Sequence, residues 1–276
     1  MLIAQITDLH LRPRAMPAYR VSETNMFAER ALATIAALRP SPDLVLISGD
    51  LTDCGLPEEY EILNGLLARL PMPVFVVPGN HDRRESMRKA LSGRMASLAD
   101  PEFIQYAVED FPIRLVGLDT VIPGKSAGAL CARRLEFLDR TLAGAPDKPT
   151  LVFMHHPPFV TGVDHMDAIR LLDGAEVFTD ILMRHPQVTN VLCGHVHRKI
   201  VTRIGHAICS TAPSVGHQVA FDFLNGAAGG LVFEPPAFDL HWRRSEDAPL
   251  VSHTVYVERF PGPYPFALDP AYPGSH

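Results

Sequence analysis

Five short polar clusters are the parts of this sequence that could carry out chemistry. Their residues include aspartate, histidine and asparagine, whose side chains bind metal ions. In chain order the clusters are Asp8-Leu9-His10, Gly49-Asp50, Gly79-Asn80-His81-Asp82, His155-His156 and Gly194-His195-Val196-His197. Oxygen and imidazole donors without cysteine favour divalent ions such as Mn, Fe, Zn or Co over a structural thiolate zinc site. The number of donors predicts at least two ions.

The spacing within two clusters favours a shared ion. Side chains two residues apart on an extended strand end point the same way, so Asp8 and His10 can bind one ion together, and His195 and His197 can do the same. A glycine precedes a candidate ligand in three clusters, where it leaves room for a tight turn and for close approach of the backbone. These glycines are Gly49, Gly79 and Gly194.

Other polar residues are open to more than one interpretation. Neighbours on a strand face opposite sides, so spacing alone does not choose between His155 and His156. Asp53 and Asp82 are expected to cap helices or hold loops rather than bind metal. His217 either lines a substrate crevice or completes a hydrogen bond in the core. Five further histidines are expected to be structural or exposed, and they are His165, His185, His206, His241 and His253.

Each cluster follows a segment that is predicted to be a strand. From residue 1 to about 200 the chain alternates short apolar, β-branched runs with amphipathic segments, which is typical of an α/β layered fold. Loops at the carboxyl ends of strands in such a fold converge on one crevice, so side chains that are distant in sequence meet there. The predicted strands are Leu2–Thr7, Asp43–Ser48, Val74–Val77, Arg114–Leu118, Thr150–Met154 and Val188–Cys193.

The clearest predicted helix begins at Pro57, which suits a first helical position, and it has an apolar stripe for core packing. This stripe consists of Tyr60, Leu63, Leu66, Leu67 and Leu70. After about residue 199 the pattern changes to short alternating strands separated by Gly and Pro, which predicts a second, antiparallel sheet. These strands are Lys199–Ile204, Ala207–Ser210, Gln218–Phe223, Leu231–Phe233 and Thr254–Val257.

The composition favours a globular protein with a small substrate. A chain of 276 residues can bury the core of one large α/β domain. The net charge of −6 provides no basic field, so strong nucleic-acid binding is not expected. The four cysteines have no short pairing spacing. The opening residues lack the regions of a signal peptide and no run is long enough to span a membrane, so we expect a cytoplasmic protein without membrane contact.

Taken together and in this order, the motifs D-x-H, G-D, G-N-H-D, H-H and G-H-x-H resemble those of the calcineurin-like metallophosphoesterase family. The similarity spans about the first two hundred residues. It implies an α/β fold, a four-layer αββα sandwich of two mixed sheets flanked by helices, with a small C-terminal cap or arm. We expect a catalytic domain at 1–255 and a Pro-rich extension at 256–276 that contacts a second copy in a homo-oligomer.

The resemblance implies a binuclear metal centre whose two ligand groups share Asp50. The first group is Asp8, His10, Asp50 and His197. The second group is Asp50, Asn80, His156 and His195. A hydroxide shared by two divalent ions would attack the phosphorus atom in line. His81 resembles the family's histidine that contacts the phosphate and protonates the leaving oxygen or stabilises its charge, so the residues expected to act in catalysis are His81, Asp50 and Asn80.

The stretches GDLTDCGLPEEY, PGNHD and MHHPP resemble the bacterial glycerophosphodiesterase and class III cyclic-nucleotide phosphodiesterase branch. The Ser/Thr protein phosphatases of the family have an Arg where this chain has Cys54, and a Glu where it has Asp82. Without that Arg, a bidentate clamp for a dianionic monoester is missing. The expected substrate is therefore a small phosphodiester, either a glycerophosphodiester or a 3′,5′-cyclic nucleotide.

Other functions on the same scaffold stay open. A phosphomonoesterase or a nuclease would use the same metals, and substrate assays would separate them from a diesterase. A non-catalytic metal-binding scaffold would show no metal-dependent turnover. Every expected ligand is present, including Asn80 and His195, which argues against the scaffold.

Overall fold

A computed structural model of the protein describes residues 1–92, 100–224, 226–245 and 248–264. The helices in these ranges are α1 (Thr24–Ala37), α2 (Pro57–Leu67), α3 (Arg84–Leu91), α4 (Ala132–Ala143), α5 (Asp164–Asp167) and α6 (Ala175–Arg184). The strands are β1 (Leu2–Ile6), β2 (Leu44–Ser48), β3 (Val74–Val77), β4 (Tyr106–Val108), β5 (Arg114–Leu118), β6 (Gly128–Ala129), β7 (Thr150–Met154), β8 (Leu171–Asp173), β9 (Val188–Cys193), β10 (Ile200–Ile204), β11 (Ala207–Thr211), β12 (Gln218–Val219), β13 (Leu231–Val232), β14 (Ala237–Trp242) and β15 (Val251–Tyr256).

Most of the strands form two mixed sheets. Sheet one has the order β15-β14-β1-β2-β3, and sheet two has the order β10-β11-β9-β7-β5-β4. In sheet one β1, β2 and β3 are parallel, and β14 and β15 are added antiparallel. In sheet two β5, β7, β9 and β11 are parallel, with β4 and β10 antiparallel at the edges. Parallel strands place their carboxyl ends at one edge of each sheet, which is where such folds bind ligands.

Three apolar layers hold the sheets and helices together. Between the sheets, side chains such as Ile3 and Leu46 of sheet one pack with Leu151 and Phe153 of sheet two. The outer face of sheet one is covered by α1, α2 and α3, and the outer face of sheet two by α4 and α6. The central strands β2, β5 and β7 are buried along their whole length, which explains their apolar residues on both sides. The fold is therefore a four-layer αββα sandwich, as predicted.

The six strands predicted before residue 199 agree with the structure to within one residue at each end, whereas the short strands β4, β6 and β8 were not predicted. The predicted second, antiparallel sheet is wrong. Strands β10 and β11 extend sheet two, whereas β14 and β15 extend sheet one, and among the strands described after residue 199 only the short pair β12 and β13 belongs to neither sheet. Local alternation of polar and apolar residues predicts a strand but does not say which edge the strand joins, because that depends on where the chain returns after the loop.

The C-terminal part of the chain is described only to residue 264. Strand β15 ends at Tyr256 and pairs with β14, so sheet one ends where the predicted extension begins. Of that extension, 256–276, the part from 265 to 276 lies outside the described residues. In the ranges that the structure describes, every helix is too short or too polar to cross a lipid bilayer.

Candidate metal centre

The candidate ligands lie in loops that leave the carboxyl ends of β1, β2, β3, β7 and β9. Backbone hydrogen bonds join these loops directly. The N–H of Asp8 donates to the carbonyl of Gly49 at 3.1 Å, and the N–H of His10 donates to the carbonyl of Asp50 at 3.0 Å. The N–H of His195 donates to both carboxylate oxygens of Asp8, at 3.2 and 3.1 Å. The ends of the two sheets therefore meet at one place, and the polar clusters meet with them.

The backbone at five candidate ligands is left-handed. The angle φ is 54° at Asp8, 45° at His10, 48° at Asp50, 71° at His195 and 56° at His197. A side chain at positive φ crowds its own backbone, and each such residue costs about 1 kcal/mol or more. The surrounding packing must offset this strain, which is a common feature of functional sites.

The first ligand group surrounds one side of Asp50. Nε2 of His10 lies 3.2 Å from Nε2 of His197 and 3.6 Å from Oδ2 of Asp50. Nε2 of His197 lies 3.4 Å from Oδ1 of Asp8. All four side chains are buried. Their donor atoms converge as the ligands of a single divalent ion would.

His155 lies close to three residues of the second predicted ligand group. Its Nε2 lies 3.3 Å from Oδ2 of Asp50 and 3.1 Å from Oδ1 of Asn80. The same atom lies 3.2 Å from Nδ1 of His195. Nδ1 of His155 lies 2.9 Å from the carbonyl oxygen of Ser48, which fixes the ring so that Nε2 faces the carboxylate.

The predicted ligand His156 lies beside His155 and His195, and these three buried histidines form a group whose ring nitrogens could hold a metal ion. Nδ1 of His156 lies 2.7 Å from the hydroxyl of Thr120, and its Nε2 lies 3.0 Å from the carbonyl of Ser126. Both ring nitrogens therefore already have partners. In this arrangement Nε2 of His155 is the ring nitrogen within 3.3 Å of both Asp50 and Asn80, while the role of His156 as a ligand stays a prediction.

Strand alternation explains why the two neighbouring histidines differ. Along β7, Leu151 and Phe153 face sheet one and Met154 faces the helices. Side chains alternate along a strand, so His155 continues the side of Leu151 and Phe153, towards the ligands of sheet one. His156 continues the side of Met154. Both sides of β7 are apolar, so the sequence does not show which side carries the site.

Close packing of glycines against the centre is confirmed. A Cβ at Gly79 would lie 2.1 Å from Oδ1 and 2.3 Å from the backbone nitrogen of Asp50. A Cβ at Gly49, whose φ is 97°, would lie 2.3 Å from Nδ1 of His155. Any side chain at either position would displace a candidate ligand.

Buried charge is concentrated around Asp50. Burial raises the pKa of Asp8 to about 6. Burial alone would raise the pKa of Asp50 too, but the positive charge of His155 lowers it well below its usual value. In turn, Asp50 outweighs the burial of His155 and raises the pKa of His155 to about 9. Burial lowers the pKa of His197 to about 3 and that of His195 well below its ordinary value. Neutral imidazole is the form that binds metal ions.

These residues fit a divalent metal ion on direct structural grounds. Nε2 of His195 is buried and, among the described residues, has no hydrogen-bond partner. Buried polar atoms are nearly always paired, so an unpaired one needs a reason. The carboxylates of Asp8 and Asp50 are buried beside it, at 0% and 2% exposure. Buried negative charge next to an unpaired imidazole nitrogen is the arrangement expected of metal ligands.

Asp82 holds two ligand loops together. Its buried carboxylate accepts hydrogen bonds from the backbone N–H groups of Leu51 at 3.1 Å, Thr52 at 3.2 Å and Gly79 at 2.9 Å. It also accepts one from the hydroxyl of Tyr60 at 3.0 Å. The loops after β2 and β3 are thereby fixed relative to each other. The prediction that Asp82 holds loops is confirmed.

Two further residues position the first group and the cleft wall. Oδ1 of Asp53 lies 3.2 Å from Nδ1 of His10, which orients that ring. Nδ1 of His81 donates to the carbonyl of Asp53 at 2.7 Å, and the N–H of His81 donates to Oδ1 of Asp50 at 2.9 Å. These bonds fix the His81 ring at the wall of the cleft and leave its Nε2 for contact with a substrate.

The centre opens into a cleft of about 420 Å³. His217 lines it, and both roles considered for this residue apply, because its Nδ1 lies 3.2 Å from the hydroxyl of Ser22 and its carbonyl accepts from Nδ1 of His197 at 2.8 Å. In the described part of the chain, no lysine or arginine lines this cleft. A larger concavity of about 670 Å³ lies over α1 and α2 and contains none of the candidate ligands.

The sequence did not indicate several residues of the cleft. Tyr19 lies in a loop with φ of 51°, and its ring centre is 5.3 Å from that of His217. His165 was expected to be structural or exposed, but it lines the cleft beside Met166 and Ile169. Their loops carry no motif, and only the folded arrangement brings them to the centre.

Comparison with known proteins agrees with this geometry. The sequence profile of calcineurin-like phosphoesterases matches residues 1–199. A probable glycerophosphodiester phosphodiesterase from Arcobacter nitrofigilis is 39% identical over 266 residues, which cover 96% of this chain and 97% of the relative. The 3′,5′-cyclic adenosine monophosphate phosphodiesterase of Escherichia coli is 34% identical over 201 residues, 72% of this chain and 70% of the relative. A dimetal phosphatase from Danio rerio has a similar fold, with a TM-score of 0.63 at 16% identity over 94% of this chain and 99% of that chain.

Proposed function

This chain belongs to the calcineurin-like phosphoesterase family and is a metal-dependent phosphodiesterase, and from that premise we propose which of its residues perform the reaction. Asp50 would bridge two divalent ions, since its Oδ2 lies 3.6 Å from Nε2 of His10 and 3.3 Å from Nε2 of His155. The two proposed groups follow the predicted ones, with His155 in place of His156 because its Nε2 is the nitrogen near Asp50 and Asn80. The predicted ligand His156 is the alternative, since it belongs to the same group of histidines that could hold an ion. The full proposed set is Asp8, His10, Asp50, Asn80, His155, His195 and His197.

The chemistry divides between the ions and one histidine. When bound, the ions would lower the pKa of a solvent molecule for in-line attack on phosphorus and would offset the charge of the phosphate. His81 would contact the phosphate through Nε2 and, when protonated, deliver a proton to the leaving oxygen. The bond from its Nδ1 to the carbonyl of Asp53, at 2.7 Å, supports this orientation of the ring.

We propose a small phosphodiester as the substrate, either a glycerophosphodiester or a 3′,5′-cyclic nucleotide. The observation that carries the choice of a diester is the absence of lysine and arginine from the described cleft lining. A monoester carries a second negative charge, which arginine binds well through two parallel hydrogen bonds. Arg84, which could have met such a charge, is instead bound to Asp119 through Nε at 2.6 Å and Nη2 at 2.8 Å.

Hydrolysis of paired aryl esters tests the proposal. Metal-stripped protein is assayed on an aryl phosphodiester and the matching aryl phosphomonoester, before and after addition of Mn, Fe, Co or Zn. We expect turnover only with added metal, and a higher kcat/KM for the diester. The metal that restores most activity identifies the preferred ion, for which Mn, Fe, Zn and Co are the candidates.

Two variants serve as controls for this assay. Asp50→Asn removes the proposed bridging carboxylate and should abolish turnover, whereas Asp110→Asn changes an exposed carboxylate and should leave it intact. A preference for the monoester would overturn the choice of substrate. Equal activity of the Asp50 variant and the wild type would overturn the proposed centre.

We also propose a homo-oligomer in the cytoplasm. The support is the Pro-rich composition of the C-terminal extension, since an extended arm of this kind gains order mainly by docking on another surface. Light scattering before and after deletion of the chain from Phe260 onward tests the oligomer. A particle mass that falls only by the deleted residues would contradict it.

A further inference from the structure

The lining of the cleft has two parts of different chemistry. One part contains His81 and five of the proposed ligands, which are His10, Asp50, Asn80, His195 and His197. The other part, which we call the arm wall, is formed by His165, Met166, Ile169, Val219, Gly229, Gly230 and Leu231. Within the described residues, the arm wall contains no carboxylate, lysine or arginine. A phosphodiester at the metal centre would place one ester arm against this wall.

Packing behind the arm wall fixes its shape. Met166 is 7% exposed and packs with the buried side chains of Val163 and Val196. Ile169 and Val219 are half-buried against the same cluster. A wall supported in this way is preformed rather than assembled around a ligand.

The second half of the arm wall is a short β-ribbon. Val219 of β12 pairs with Leu231 of β13, and the N–H of Ala220 donates to the carbonyl of Gly230 at 2.8 Å. These bonds hold the glycine pair in place at the cleft. The position of the wall therefore does not depend on the ester arm that binds there.

Two adjacent glycines widen the cleft at this wall. A Cβ at Gly229 would lie 2.7 Å from Cδ2 of His165, so the imidazole occupies the space that a side chain would fill. At Gly230 the nearest atom to a Cβ would be Cβ of Ala220 at 4.0 Å, so the space beside Gly230 is open. The result is open space beside Gly230, next to the apolar side chains of the wall.

We propose that the arm wall selects the ester arm of the substrate, favouring a flat, uncharged arm such as an aryl group or a nucleobase over an arm that carries an ammonium group. This inference rests on the proposed function, because it assumes diester hydrolysis at the metal centre. An apolar ring that leaves water gains free energy against such a wall. An ammonium group would lose its hydration there without a carboxylate to replace it.

The test compares three diesters with the same p-nitrophenolate leaving group. Their other arms are methyl, choline and 5′-thymidyl, so the phosphate charge is constant and only the arm varies. For each diester, kcat/KM of the metal-loaded wild-type enzyme is divided by kcat/KM for the methyl diester. We expect this normalised value to be about tenfold or more higher for the thymidyl diester than for the choline diester.

Variants of the arm wall should move this ratio. Leu231→Asp supplies a carboxylate and should shift the ratio towards the choline diester by about tenfold, whereas the uncharged control Leu231→Asn should shift it by less than about threefold. Gly230→Val fills the open space and should reduce turnover of the thymidyl diester by about tenfold while turnover of the methyl diester persists.

The outcomes separate the two levels of the proposal. Equal normalised rates for the choline and thymidyl diesters in the wild type would overturn the role of the arm wall. An unchanged ratio in both Leu231→Asp and Gly230→Val would overturn it as well. Absence of metal-dependent turnover with all three diesters would instead overturn the proposed function.

Discussion

At the scale of single residues, two adjacent histidines have different contacts, from which we infer different tasks. His155 faces Asp50 with Nε2, whereas His156 has both ring nitrogens bonded to Thr120 and Ser126. A ligand and a supporting residue differ in what their removal costs, because only the ligand is needed for an ion to bind at all. Substitution of each histidine in turn therefore distinguishes the two tasks.

His155→Ala should lose one bound ion per chain and lower kcat/KM by more than about a hundredfold, since one of the proposed ligands is removed. His156→Ala should keep both ions and lose about tenfold, since only the support of the loop is weakened. Metal content measured by mass spectrometry, together with kcat/KM for an aryl diester, checks both. Loss of an ion from the His156 variant alone would reverse the assignment.

Asp82 is the residue whose loss should cost the most stability without removing a ligand. Its carboxylate is buried and accepts bonds from both ligand loops, so Asp82→Asn exchanges an acceptor for a donor that faces N–H groups. We expect the free energy of unfolding to fall by about 3 kcal/mol. Urea unfolding of the metal-free protein measures this, with the exposed Asp110→Asn as the control. A fall below about 1 kcal/mol would show that the loops are held by other contacts.

The chemistry of the candidate ligands could be predicted from the sequence, whereas the directions in which His155 and His156 face could not. Aspartate, asparagine and histidine at strand ends identify the type of site because few other roles need so many oxygen and imidazole donors. His155 and His156 are chemically identical neighbours, and strand alternation separates them only once the interior side of β7 is known. That side is set by packing between sheets, which is a property of the whole fold.

At the scale of elements, the turn after β3 is the most restrictive. Gly79 packs against both the carboxylate and the backbone of Asp50, so the turn and the bridging ligand share a fixed geometry. The left-handed backbone of Asp50 adds a second restriction at the neighbouring turn. Each turn therefore determines where a ligand points, and not merely how the chain reverses.

Gly79→Ala should strongly reduce activity because its Cβ would lie 2.1 Å from Oδ1 of Asp50. We expect kcat/KM to fall by about a hundredfold, as for a small displacement of a reacting group. Gly65→Ala is the matched control, since a Cβ there meets nothing within 4 Å and Gly65 lies in α2. That control should keep its activity and gain about 0.5–1 kcal/mol of stability. Full activity of the Gly79 variant would show that the turn can shift without moving Asp50.

Strand positions were predictable because buried strands leave an apolar, β-branched signature between polar loops. The sheet that each strand joins was less predictable than its position in the sequence. Strand β10 was predicted and β14 was not, and they join different sheets, since nothing local to either strand encodes its neighbour. The residues that line the cleft were unpredictable for the same reason, because the arrangement of the sheets is what brings Val219 and Leu231 close to the metal centre.

At the scale of the whole molecule, one buried chain of hydrogen bonds crosses both sheets. Nδ1 of His241 lies 2.7 Å from the hydroxyl of Ser252, and its Nε2 lies 3.0 Å from Oε1 of Gln5. The amide of Gln5 donates to the hydroxyl of Ser48 at 2.9 Å and to the carbonyl of Cys193 at 3.0 Å. A glutamine oxygen only accepts, so Nε2 of His241 carries the proton and Nδ1 accepts from Ser252, which is the neutral form of the ring.

Acid should weaken the fold through this histidine. Burial, and after it the positive charge of Lys199, lowers the pKa of His241 to about 3. Below its ordinary value of 6.5 the unfolded chain therefore binds a proton that the folded chain does not. The contribution of His241 to the free energy of unfolding is therefore complete above pH 6.5. It falls by about 1.4 kcal/mol per pH unit as the pH decreases from that value towards 3.

The variant His241→Gln removes this titration and should show a shallower loss of stability below pH 6.5 than the wild type. Urea unfolding of both metal-free proteins between neutral pH and pH 4 measures the difference. The ion pair of Lys199 with Asp239, at 2.6 Å, is common to both proteins and cancels in the comparison. Parallel stability curves would contradict the prediction.

The proposed ligands are divided between the two sheets. Asp8, Asp50 and Asn80 follow strands of sheet one, whereas His155 and His195 follow strands of sheet two. A pair of ions bound by both sets would connect the two sheets. The free energy of ion binding would then also stabilise the packing of one sheet on the other. The supply of metal would then affect both the activity and the stability of the protein. When metal is scarce, the enzyme would be inactive and also more easily degraded.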